Sequence, residues 1–157
     1  MRECAFCNLS VQDKRRTIYE NSDWIVFLAD KQDYIGRCIV VCKTHCESLS
    51  NLNIEQWISL KVVVNSLENM LKCELGATMF NWSCLMNDSY KSDYPKPHLH
   101  FHMRPRYAKP VIINGRKYED DEFAHHYNNK KQSLISDCTT DLIFQMLKEK
   151  VDSYFTL

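Results

Sequence analysis

Between Pro97 and Arg106 the chain reads Pro97-His98-Leu99-His100-Phe101-His102-Met103-Arg104-Pro105-Arg106. Polar and apolar side chains alternate with a period of two, the period at which a β-strand sorts side chains onto two faces. His98, His100 and His102 then line one surface, and Leu99, Phe101 and Met103 fill a core on the other. Successive histidines on such a face lie roughly 6–7 Å apart, a spacing that can embrace a phosphate group. Imidazole attacks phosphorus, exchanges protons and binds metal near neutral pH. A chance run on a solvated face is the bland alternative, weakened by the strict alternation and by Arg104 and Arg106 after it. An all-histidine metal site is a further alternative. Against it, residues 98–102 splay over more than roughly 10 Å, while one ion needs bonds of about 2.0–2.1 Å.

The rest of the chain supplies a sheet and a cover for its apolar face. Thr17–Tyr19 and Trp24–Ala29 read as strands joined by the turn Glu20-Asn21-Ser22-Asp23. Gly36 opens a β-rich run, Arg37–Cys42. In Asn53–Glu74, Trp57, Leu60, Val64, Leu67 and Leu71 recur at helical spacing, with Asn53 and Gln56 as a capping box and Gly76 as a stop. Thr78–Met86 reads as a strand, Asn87–Pro97 as a polar loop and Pro110–Lys117 as a hairpin around Asn114-Gly115. Asp120–Lys131 is polar and irregular, and Leu142–Val151 is helical. Asp13–Arg16 reads as a solvated turn. Together these elements predict an α+β domain with an antiparallel sheet covered on one face. No repeat, linker or low-complexity tract divides residues 1–157.

Composition removes several functions. The chain has three glycines, Gly36, Gly76 and Gly115, too far apart for a Walker loop or a dinucleotide fingerprint. Lys plus Arg and Asp plus Glu number 20 each. No global field draws the chain to a nucleic acid polymer or an anionic membrane. An anion must be held by a local cluster. The longest apolar run, Trp24–Ala29, is too short to span a bilayer. Met1-Arg2-Glu3-Cys4 lacks the apolar stretch of a secretory leader, so the expectation is a cytoplasmic chain with reduced thiols. Of eight cysteines, Cys38, Cys42, Cys73, Cys84 and Cys138 read as packing residues, and Cys46 is ambiguous. Cys4 and Cys7 form a C-x-x-C ahead of any core segment.

The run His98-Leu99-His100-Phe101-His102-Met103-Arg104 resembles the histidine triad (HIT) signature, H-φ-H-φ-H-φ-φ, with arginine at the last, usually apolar, place. Phe27-Leu28-Ala29-Asp30, Ile35–His45 and Phe80–Asn87 extend the resemblance over residues 4–107, leaving 108–157 as an extension. The resemblance implies an HIT-like sheet of about five strands with a long central helix and a C-terminal helix, in a homodimer. It also implies nucleotidyl hydrolysis or transfer at the α-phosphate of a nucleotide conjugate, a dinucleoside polyphosphate or nucleoside phosphoramidate. Carried over by position, His100 is the nucleophile, and His102 binds phosphate and helps the leaving group. Asn87 contacts phosphate, Asp30 holds the ribose, and Phe27 and Leu28 line the base pocket. Core packing for Phe27 and Leu28, and a turn role for Asp30, are the structural alternatives. Histidine rather than glutamine at position 102 points to the hydrolase branch. A nucleotide-binding or zinc-stabilised interaction module with little turnover is the alternative function.

Two further departures from the family pattern matter. Arg37 stands where histidine is common, and arginine can clamp phosphate but cannot exchange protons near neutral pH. Tyr94-Pro95-Lys96-Pro97 replaces a Gly-Gln-Ser/Thr stretch, and Lys96 can supply charge in its place. The resemblance to HIT hydrolases with a C-x-x-C also implies a structural zinc ion on Cys4, Cys7, His45 and His98. A redox pair is another use of Cys4 and Cys7. His125-His126 reads as a surface pair or as a segment folding back toward the site.

Overall fold

The computed structural model describes residues 4–155. Met1-Arg2-Glu3, on which the leader expectation rests, lies outside them. The architecture is α+β. A short helix α1 (Val11–Arg15) precedes the hairpin β1 (Thr17–Glu20) and β2 (Trp24–Leu28). Asn21 makes that turn, its Oδ1 accepting the Asp23 and Trp24 backbone N–H groups at 2.9 and 2.8 Å. Then come β3 (Cys38–Cys42), the long helix α2 (Ile54–Leu75), β4 (Met79–Ser83) and the histidine strand β5 (His100–Arg106). A second hairpin, β6 (Val111–Ile113) and β7 (Arg116–Tyr118), and helix α3 (Asp137–Tyr154) complete the described chain. Asn114 and Gly115 both take positive φ at that hairpin's tip, as a two-residue turn requires.

Five strands form one antiparallel sheet in the order β1-β2-β3-β5-β4. The connection that contains α2 lays this helix across one face. Asn53 caps it with the expected capping box, and Gly76 ends it in the left-handed conformation. Leu60, Val63, Leu67, Met70 and Leu71 of α2 pack against Trp24, Val26, Leu28, Val40, Leu99 and Met103 of the sheet. This is the main core. Helix α3 packs beside α2 and over β1, and Phe155 stacks on Tyr19 with ring centroids 4.1 Å apart.

The opposite face is not open. Residues of β3 are buried on both sides, because Phe27, Ala29, Ile39 and Val41 form a second cluster under Phe6 and Leu9. The expectation of one covered face is corrected by this N-terminal segment, whose apolar content is too sparse to show as an element. Four other expectations also change. Trp57 begins the helical stripe but is 45% exposed, although the neighbouring Gln56 carbonyl accepts from Trp24 Nε1 of the sheet. Arg16 belongs to no solvated turn: its side chain is fully buried and ion-paired to Asp30 and Asp141. Cys73 and Cys138 are exposed rather than packed. Helix α3 begins at Asp137, five residues before its apolar stripe, because Ser136 caps it.

Gly36 enters β3 with φ +78°, and a Cβ there would sit 2.8 Å from Leu75 Cδ1. Gly36→Ala is expected to destabilise the fold by about 1–3 kcal/mol, the scale of a strained left-handed backbone plus a forced shift of Leu75. Urea unfolding measures it, and an unchanged midpoint would contradict it.

Candidate active site and metal centre

The period of β5 sets the site. Register places His102 opposite Ile39 of β3 and Ser83 of β4, and His100 opposite Val41. Both imidazoles therefore leave the sheet on the face away from α2. His98 precedes the strand on the same side. The three histidines share a cavity of about 360 Å³ with Lys96, Asp88 and Phe6. The His100 and His102 rings meet edge to face, 4.9 Å between centroids.

Hydrogen bonds fix which nitrogen each ring presents. His100 Nδ1 lies 2.8 Å from the His98 carbonyl oxygen. A carbonyl only accepts, so Nδ1 carries the proton and Nε2 keeps a free lone pair. His100 is 8% exposed, and burial lowers its pKa, so the lone pair is kept near neutral pH. His102 is fixed in the opposite sense. Arg37 Nη2 donates to His102 Nδ1 across 3.1 Å, so His102 carries its proton on Nε2. Burial first, then the positive charge on His100, Arg37 and Arg104, pushes the His102 pKa down to about 3.

A buried charge cluster stands behind His102. Asp33, with no exposed surface, meets Arg37 Nη1 at 3.3 Å through Oδ1 and Arg104 Nε at 3.3 Å through Oδ2. Two guanidiniums thus share one carboxylate, and Arg37 Nε and Arg104 Nη1 are buried with no hydrogen-bond partner. Arg104 also lies under the Tyr127 ring, 4.4 Å from its centroid. Arg106 continues the row and is satisfied by Asp120, Asn81 and the His125 and Glu122 carbonyls.

Cys4, Cys7, His45 and His98 converge at one end of the same face. Their donor atoms all lie within 4.8 Å of one another. Cys4 Sγ is 3.2 Å and Cys7 Sγ 3.5 Å from His98 Nδ1, and Cys7 Sγ is 3.3 Å from His45 Nδ1. A tetrahedral zinc ion with Zn–S about 2.3 Å and Zn–N about 2.05 Å has S···N edges of about 3.5 Å. The donor set fits such an ion. Its outer shell fits as well: His98 Nε2 donates to the Cys42 carbonyl at 2.7 Å, which leaves Nδ1 as the free donor. Four protein donors leave no open position, so the set is structural in character.

The structure brings some of the sequence-derived residues together and leaves others apart. His98, His100, His102 and Lys96 share the cavity, and Arg37 joins it through His102. Asn87 is exposed at the start of a short 3-10 turn, Asn87–Lys91, whose Asp88 lines the cavity. Phe27 shares the histidines' side of the sheet, in the cluster with Ile39 and Val41. Leu28 is 1% exposed in the α2-facing core and shares no surface with the histidines. Asp30 follows β2 and is held by Arg16 Nη1 at 2.6 Å. His125 and His126 are exposed; it is the His125 backbone, not its ring, that folds back onto Arg106. Sequence reasoning missed Phe6 and Asp33. Phe6 packs at a tilt on His100, ring centroids 4.3 Å apart, and its place between two cysteines was the available signal. Asp33 carried none.

This arrangement of five antiparallel strands, long helix and histidine-bearing strand is that of the histidine triad proteins. A histidine triad nucleotide-binding protein from Sulfolobus tokodaii superposes with a TM-score of 0.64 at 18% identity, covering 96% of this chain and 93% of that one. A diadenosine triphosphate hydrolase from Plasmodium falciparum gives 0.60 at 17% identity, covering 92% and 81%. A zinc-bound histidine triad protein from Mycobacterium smegmatis gives 0.59 at 20% identity, covering 96% of each chain. No protein-family model and no curated protein matches the sequence. The chain thus has the histidine triad fold, and likeness at this identity carries the fold rather than the reaction.

Two outcomes follow from the geometry. Protein purified without added metal is expected to hold one zinc ion per chain by elemental analysis. Cys7→Ser is expected to lose it and melt lower, by about 2–4 °C for each kcal/mol of lost binding. Full metal-free stability with reactive thiols would contradict this. The second outcome concerns acid. His102 has a folded pKa near 3 against an ordinary 6.5, so the unfolded chain binds more protons between those values. Stability from this group is present above pH 6.5 and is lost as pH falls toward 3. His102→Gln is expected to flatten that acid limb in denaturation series, and an unchanged limb would contradict it.

Proposed function

We propose that this chain is a nucleotidyl hydrolase of the histidine triad type, cleaving at the α-phosphate of a nucleotide conjugate. The observation that carries the proposal is the His100 ring: Nδ1–H is anchored to the His98 carbonyl, and Nε2 has its lone pair free within the cavity it shares with His102 and Lys96. Nε2 attacks phosphorus and the leaving group departs, giving a nucleotidyl-imidazole. Water then attacks the same phosphorus and returns the electron pair to Nε2. His102 Nε2–H and Lys96 bind the phosphate oxygens, and Asn87 joins them from the adjacent turn. The apolar cluster around Phe27 and Ile39 receives the base, and Asp30 holds the ribose. Histidine at position 102, rather than glutamine, favours water over a second phosphate or sugar phosphate as acceptor. Zinc on Cys4, Cys7, His45 and His98 fixes the N-terminal segment and the start of β5. The active form is a cytoplasmic homodimer; among the described residues no helix is long and apolar enough to cross a membrane.

One observation favours a binding module with little turnover: Phe6 packs at a tilt on His100, which is only 8% exposed. Turnover decides between the two. On a panel of nucleotide conjugates, His100→Ala is expected to lose at least ~10³-fold in rate with its fold intact, as removal of a covalent nucleophile does. Acid-quenched wild type is expected to carry the nucleotide on His100 by mass spectrometry. An adduct elsewhere, or tight binding without turnover of any conjugate, would overturn the enzyme.

A further inference from the structure

Arg37 stands at the one place where a proton could enter His102 from inside the protein. Its Nη2 donates to His102 Nδ1 at 3.1 Å, and arginine does not give up its own proton. His102 therefore presents Nε2–H to the cavity as a hydrogen-bond donor. Releasing that proton would leave an imidazolate, which is out of reach near neutral pH. Becoming an imidazolium first would require a proton on Nδ1, where the guanidinium already points.

The positive charges around His102 act in the same direction. Arg104 faces it from its own strand and Arg37 from the entry to β3, His100 adds to them only when it is itself protonated, and Asp88 of the 87–91 turn, itself ion-paired to Lys91, acts in the opposite sense. Ser83, opposite on β4, is uncharged. Behind Arg37, the single carboxylate of Asp33 serves two buried guanidiniums. A surplus positive charge is thus held beside the cavity, with two guanidinium nitrogens, Arg37 Nε and Arg104 Nη1, that have no hydrogen-bond partner among the described residues.

Resting on the hydrolase proposed above, we propose that Arg37 is a positioning residue that restricts the substrate to conjugates whose leaving group departs as an anion. Nucleoside phosphoric anhydrides fit, and nucleoside phosphoramidates do not. In the anhydride reaction, the His100 Nε2 lone pair forms the P–N bond. The P–O bond to the next phosphate breaks with its electron pair on that oxygen, which leaves without a proton. Water then forms a P–O bond and the P–N bond returns its pair to Nε2, while the proton of the attacking water passes to solvent. In a phosphoramidate the departing nitrogen must gain a proton before its bond breaks, and His102 in this setting cannot supply one.

The test compares kcat/KM for dinucleoside triphosphates and nucleoside phosphoramidates, each common base in turn, with wild type, Arg37→Lys and Arg37→His. Wild type is expected to prefer the anhydride by about 10²–10⁴-fold, the range a general acid contributes. Arg37→Lys keeps a charged donor and retains the preference. Arg37→His is expected to shrink it at least ~10-fold, by gaining phosphoramidate turnover that rises toward acid pH. Equal use of both substrates by wild type, or a parallel loss on both in Arg37→His, would overturn the proposal. No turnover of either substrate would instead overturn the hydrolase reading on which it rests. Nitrogen NMR of the wild-type histidines covers the case in which the variants do not fold. His102 is expected to stay neutral with its proton on Nε2 down to about pH 5, and a protonated Nδ1 would overturn the proposal.

Discussion

The alternation of β5 is the constraint from which the rest follows. The strand lies between β3 and β4, so its register is held from both sides. Leu99 and Met103 are fully buried against the α2 layer, and a slip of one residue would drive histidines into that core and expose the apolar set. The core on one face therefore specifies the chemistry on the other. His100 and His102 stand where they do because Leu99 and Met103 cannot stand anywhere else.

The same parity runs past the histidines and creates a demand there. Arg104 and Arg106 continue the polar row into a region that water does not reach. An unpaired buried charge costs several kcal/mol, and breaking a buried pair about 3–5 kcal/mol. The fold answers with carboxylates from two loops: Asp33 after β2 and Asp120 after β7. Tyr34 and Tyr127 cover the guanidinium planes, and the Asn128 N–H donates to the Tyr34 hydroxyl. The irregular segment after β7 folds back across the sheet for this reason. It carries little apolar surface of its own; what it supplies is counter-charge, aromatic faces and backbone carbonyls.

Legibility in the sequence tracked period and punctuation. The strand period around His98–Met103, the helical period with its Asn53 cap, and the Asn114-Gly115 turn were all readable because each signal is local and repeats. The ends of elements were less so. β4 stops at Ser83 rather than Met86, and β5 runs on through Pro105 because β3 begins only at Cys38, opposite Met103, and asks no further hydrogen bond of that side. The site was legible where a motif crowded it. It was not legible where one side chain meets another across many residues. Arg16 finds Asp141 and Arg104 finds Asp33 only after the chain has folded, and a basic run such as Asp13-Lys14-Arg15-Arg16 looks solvated until then. Leu28 and Phe27 show the same limit at finer grain: adjacent residues on one strand lie on opposite faces, and only one of them borders the site's side of the sheet.

Hydrogen bonding completes the division of labour along the row. Each histidine has one nitrogen committed to the protein and one presented outward. His98 gives Nε2 to the Cys42 carbonyl and turns Nδ1 to the thiols. His100 gives Nδ1 to the His98 carbonyl, and His102 receives Arg37 on Nδ1. Three identical side chains thereby present three different groups, an Nδ1 turned to the thiols, a free Nε2 lone pair and an Nε2–H donor, and what separates them is the partner behind each ring. The N-terminal hook ties the first role to the second. Phe6 sits between Cys4 and Cys7 and packs at a tilt on His100, so the thiol pair that would hold a metal also sets what covers that imidazole. A chain with no net charge and no glycine-rich loop thus still gathers a free imidazole lone pair, an imidazole N–H and a surplus guanidinium charge in one place, by fixing the tautomers of one strand and burying two arginines on one carboxylate behind it.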